Sequence, residues 1–136
     1  MPDETIRKFR SAHRSILDSI DQIRSHLRNY PQAKPLLRDL HQKLLAHFSQ
    51  QNESFFGPLK EYFRLQRENA KMIESLEFDV KEIKIKLLVF YDQHSGEFAD
   101  NNSRSFPVDF ADFSGLIMGR LKIEEEYLIP LLDKLS

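Results

Sequence analysis

Arg120-Leu-Lys-Ile-Glu-Glu-Glu-Tyr-Leu-Ile-Pro-Leu-Leu132 is the stretch on which the reading of this chain turns. With the residues before it, it forms a helical pattern. Phe110, Phe113, Ile117, Arg120, Glu124, Tyr127 and Leu131 alternate in threes and fours, the seam of an amphipathic helix that faces other helices. Arg120 and Glu124 are charged, and a charge on such a seam is costly unless another group answers it. What answers them has to come from the rest of the chain.

Upstream, the same spacing recurs. Ile6, Phe9, His13, Ile16, Ile20, Ile23 and Leu27 predict a first helix over 4–28, with Asp3 and Glu4 at the end where the helix dipole favours acids. Two prolines between Asn29 and Pro35 predict a short turn. The second helix is expected over about 35–56, with Leu37, Leu40, Leu44, His47, Gln51 and Phe55 on its seam, and Gly57-Pro58 breaking or kinking it. A third carries Leu65, Asn69, Met72, Leu76, Val80, Ile83, Leu87, Phe90 and His94 on one face. Ile83 to Tyr91 also alternates like a strand, but one strand in a helical chain has no partner, so helix is the reading. Residues 95–107 form a polar loop, and Val108 or Asp109 opens a fourth helix reaching about Leu132. The expected fold is all-α: an up-down-up-down antiparallel four-helix bundle, one domain over 1–136.

Composition supports that class. The chain has 136 residues, 40% hydrophobic and 30% charged, enough for one domain with a core. Its net charge of −1 argues against nucleic acid and anionic membranes as partners. The absence of cysteine removes disulfides, thiolate metal sites and cysteine nucleophiles. With a polar, charged start and no apolar run of spanning length, the expected location is cytoplasmic.

Six polar residues interrupt the apolar seams: His13, His47, Gln51, Asn69, Arg120 and Glu124. At a rise of about 1.5 Å per residue, His13 before the first turn and His47 after it lie at similar depths. Counted from Gly57-Pro58, Asn69 falls at a similar depth. Taken alone, each residue is more simply a hydrogen-bonded core histidine, a register-fixing amide or an i,i+4 ion pair bent toward solvent. Taken together at one depth, they point to a buried polar centre, the place where a bundle builds carboxylate–histidine metal sites.

His47-Phe-Ser-Gln-Gln51, followed by Phe55-Phe-Gly-Pro-Leu59, resembles the second-helix signature of hemerythrin-like (HHE cation-binding) domains. Glu124-Glu-Glu-Tyr-Leu-Ile-Pro-Leu-Leu132 resembles their last-helix signature. The resemblance implies a four-helix bundle around two non-haem iron ions bridged by carboxylates. It also implies a role in binding oxygen, or in sensing or detoxifying oxygen, iron or nitric oxide. His13, His47 and Glu124 fit ligand positions of that family. Gln51 stands where a glutamate is expected, and Asn69 and Arg120 stand where histidines are expected. Amides are weak iron ligands and arginine is none. Glu53, Glu68 and Glu125 are nearby acids, each a position or two off the seam.

The resulting expectation is that Arg120 replaces metal charge, with Gln51 and Asn69 completing a hydrogen-bonded centre. No full di-iron cofactor is expected. The alternative is one or two non-haem iron ions on His13, His47 and Glu124. The function expected is a binding or regulatory module acting on a protein partner or small ligand; a partial iron site used in sensing is the other reading. Acid–base catalysis ranks last, because a glutamate paired with arginine stays ionised. His94 reads as a helix C-terminal cap, and His26 and His41 as surface residues. The loop 95–107, with Phe98 and Phe106, reads as a partner-binding surface or as a connector whose aromatics tuck against the bundle end.

Overall fold

The computed structural model describes residues 2–95 and 104–135, the side chains of Pro2, Asp3, Asn52, Glu53 and Ser95 apart. Helix α1 spans Pro2–Arg24 and α2 spans Tyr30–Gln50. A π turn over Gln51–Phe55 leads straight into α3, Phe56–Phe63. Helix α4 spans Arg67–Ser95 and α5 spans Phe106–Ile123. A second π turn, Glu124–Leu128, leads into α6, Ile129–Asp133. Among the described residues there is no strand, and 83–91 lie within α4. No helix among them is long and apolar enough to cross a membrane.

Helix α1 packs along α2, α2 and α3 pack on α4, α4 meets α5, and α1 closes against α5 and α6. The buried side chains form one cluster, with Phe9, Ile16, Leu40, Leu44, Phe48, Val80, Phe110 and Ile117 almost wholly out of water. Helix α2 starts about a turn earlier than the prolines suggest. Asn29 caps it, its side chain accepting from the Gln32 amide at 3.3 Å, and Pro31 sits in the first turn, where no amide proton is needed. Pro35 stays inside the helix at the loss of one backbone bond.

Gly57-Pro58 does not end the second helical stretch. The chain stays helical through both, and the break comes at 64–66. A proline removes one helix hydrogen bond and crowds the carbonyl four residues back. For Pro58 that carbonyl is Ser54, inside the π turn, where Phe56 donates to Gln51 in the wider i+5 pattern. The same device recurs in the last helix: Pro130 crowds Glu126, and Ile129 donates to Glu124. Each π turn adds a residue and rotates the helical segment beyond it. Leu128 is therefore buried where the regular seam expects Tyr127, which is 47% exposed.

The later break also corrects the start of the third helix. Leu65 is 87% exposed, and Ile73 rather than Met72 faces the core. From Leu76 to His94 the buried positions lie on the expected seam. Of the two loop aromatics, Phe98 lies outside the described residues. Phe106 is fully buried against Tyr30 and His94, so it is core and not a partner-facing side chain.

A Cβ at Gly115, exposed in the interior of α5, meets nothing within 4 Å, and Gly115 does not have a positive φ. Gly115→Ala is therefore expected to raise stability by about 0.5–1 kcal/mol. Urea unfolding checks this; a loss of stability would mean that α5 is not a regular helix at this position.

Candidate functional site

The polar centre is built around one carboxylate. Glu124 is fully buried at the first residue of its π turn. Its Oε1 lies 2.8 Å from His13 Nε2 and 2.8 Å from His47 Nε2. Its Oε2 accepts from Arg120 Nε at 2.7 Å and from Gln51 Nε2 at 2.7 Å. Arg120 Nη2 also donates to Gln51 Oε1 at 3.1 Å. A carboxylate offers about four acceptor directions, so four donors fill it.

Each element places its share for a local reason. Arg120 and Glu124 are i,i+4 on one helix and project together. His13 comes from the middle of α1, His47 from the last turn of α2, and Gln51 from the π turn directly after it. The rings of His13 and His47 meet edge-on with centroids 4.9 Å apart. Phe9 lies 4.6 Å from the first and 4.7 Å from the second, with Phe55 behind it at 4.9 Å. These aromatic walls keep water from competing for the carboxylate, which strengthens each bond to it.

Asn69 does not join this centre. It lies in the first turn of α4, half-buried, and its amide donates to Gln66 at 2.9 Å. Depth counted from Gly57-Pro58 puts it inside the bundle; counted from the true break at 64–66 it belongs to the bundle end. Glu68 is exposed beside it, and the side chain of Glu53 falls outside those described.

Glu125 matters more than its off-seam position suggests. Its Oε1 lies 3.0 Å from His13 Nδ1, and its Oε2 accepts from Arg10 Nε at 3.2 Å. His13 therefore stands between two carboxylates, and it donates to both only when both ring nitrogens carry protons. Arg10 has a sequence signal, one turn before His13, but its partner is tertiary.

A second polar pair, half of it buried, lies at the other end. His94 is fully buried, with Nε2 3.0 Å from Asp109 Oδ2, and its carbonyl accepts the Tyr30 hydroxyl. Burial pulls the His94 pKa below its ordinary value, against the hydrogen bond and charge of Asp109. It joins α4 to α5 and is not a solvent-facing cap. His26 bonds its own helix at the Gln22 carbonyl, while His41 packs on Tyr91 with centroids 3.8 Å apart.

Residues 4–132 match the hemerythrin HHE cation binding domain family. The chain belongs to that family. No curated protein and no solved structure matches it. Within the HHE fold, His13, His47 and Glu124 are the one group of potential ligands among the described residues, each offering an atom within 4.8 Å of the others.

A pair of iron ions does not fit these residues. Arg120 and Gln51 already donate to Glu124 Oε2 and occupy its acceptor directions. The guanidinium is a permanent cation 2.7 Å from that oxygen, and it repels a metal there while offering no lone pair. The remaining three donors match a single-ion set at most.

Burial pushes the Glu124 carboxyl upward, but hydrogen bonds from His13 and His47 and the charges of His47 and Arg120 outweigh it. The carboxyl is held well below the ordinary carboxylate range. Its folded pKa lies below the unfolded value of 4.5, so its stabilisation is full above that value and fades as pH falls through and below it. The stability gap between the native chain and Glu124→Gln is therefore expected to narrow between about pH 5 and pH 3 in urea titrations. Arg120→Ala should cost about 3–5 kcal/mol at neutral pH by stranding Glu124, and adding Glu124→Gln should return part of it. A cost of about 1 kcal/mol or less would place the pair in solvent instead.

Proposed function

We propose that this HHE domain uses Arg120 in place of metal charge and works as a binding or regulatory module, not as an oxygen carrier. The observation that carries this is the buried Arg120–Glu124 contact of 2.7 Å, shared with Gln51. An inward carboxylate left alone in a bundle is strongly destabilising. In this chain a guanidinium one turn away neutralises it without coordination. The same reading takes 1–136 as one domain and the helices as an up-down-up-down antiparallel four-helix bundle, supported by the ring of contacts from α1 through α2, α4 and α5 back to α1.

A second reading has its own support. His13, His47 and Glu124 could hold one weakly bound ion, since their ligand atoms cluster within 4.8 Å. Coordination would require both histidines to give up the Nε2 protons they donate to Glu124 and to offer those nitrogens' lone pairs to the metal.

Iron content separates these readings. Protein from iron-supplemented culture is expected to carry well below two irons per chain and to lack the near-ultraviolet bands of an oxo-bridged pair. Stoichiometric two-iron loading with those bands would overturn the proposal, and one iron per chain, abolished by Glu124→Ala, would establish the second reading. The Gln51→Glu, Arg120→His double variant adds a carboxylate and an imidazole where cation and amide now stand. It is expected to bind iron at least about tenfold more tightly than the parent, by metal-competition titration.

A further inference from the structure

Between α1 and the α5–α6 arm lies a groove of about 810 Å³, in the size range of small-ligand sites. Its lining is mostly apolar, with Ile6, Leu17, Met118 and Leu121 as the floor. Around that floor stand Arg7, Arg10, Arg14 and Lys122 against only Glu125 and Asp133. The whole chain carries a net −1, so this local excess of cations runs against its average. Arg7, Arg10 and Arg14 fall three and four residues apart, which places them along one face of α1. Neither Arg7 nor Arg14 forms an ion pair among the described residues, and Lys122 reaches only Glu126, at 3.9 Å with both side chains exposed. Arg10 is engaged across the groove with Glu125, which also touches His13.

We propose that this groove binds a small amphipathic carboxylate, a free monocarboxylate with an unbranched alkyl chain. The apolar floor takes the chain, and the arginine row takes the head. An anion arriving at Arg10 competes with Glu125, so occupancy changes the surroundings of His13 at the edge of the buried centre. The inference extends the reading of the chain as a binding module by naming the ligand class. The two fail separately, because iron content tests the one and carboxylate binding the other.

The test is titration of the full chain with decanoate below its micelle concentration, monitored by calorimetry and by the histidine ring signals in NMR. Decanoate is expected to bind once per chain with a Kd of about 10–500 µM and to shift the His13 ring signals. Decylammonium should bind at least about tenfold more weakly. Arg7→Gln with Arg14→Gln, both exposed and outside any ion pair among the described residues, should weaken decanoate about tenfold while leaving thermal unfolding unchanged. Met118→Trp, which fills the floor, should also weaken it by shape alone. The proposal is overturned if decanoate does not bind, if decylammonium binds as well, or if neither variant changes affinity. Binding to anionic vesicles without binding of monomeric decanoate overturns it as well, since the site would then be a membrane-facing surface.

Discussion

Four N–H donors on one buried carboxylate hold the interior of this protein in its arrangement. Glu124 sits fully out of water, and each of its lone-pair directions is met by a side chain from a different place in the sequence. Removing any donor leaves an acceptor without a partner where water cannot supply one. The centre therefore ties α1, α2, the first π turn and α5 to each other at one level. Helix α4 is held by the apolar rows from Ile73 to Phe90 and by His94 on Asp109.

The donors differ in what they bring. Arg120 adds a full charge and rides on the same helix as Glu124, so the two offset each other's charge within one helix. The histidines add directional bonds, and Gln51 works both ways, donating to Glu124 and accepting from Arg120. A metal site of the family draws its stability from an ion bound to the folded state. With Arg120 the countercharge is covalently part of the chain.

Much of this is legible from spacing. His13, His47, Arg120 and Glu124 fall on apolar seams in regular threes and fours, and polar residues on such seams must find one another. Turn-to-residue counting on α1 and α2 works because their connection is short. For Asn69 the count fails because it begins at Gly57-Pro58, and a glycine–proline pair does not end a helix when a π turn makes room for the ring. Tyr127 is misplaced on a regular seam for the same reason, one residue too early. The pairs His13–Glu125–Arg10 and His94–Asp109 are not legible, since they join residues through packing alone.

The two π turns also make chain length itself part of the information. A residue added to a helix without lengthening its axis appears as rotation, about 100° per residue. Up to the first residue of each turn the inward positions include polar groups, His47 and Gln51 or Arg120 and Glu124; from its last residue on they are apolar, Phe55, Phe56 and Leu59 or Leu128, Leu131 and Leu132. Deleting one residue between Glu124 and Leu128 would let the turn close into regular α-helix, with Leu128 taking the seam position that Tyr127 misses. Inside those five-residue windows a deletion is absorbed by closing the turn; in the regular helix on either side it re-aims everything downstream.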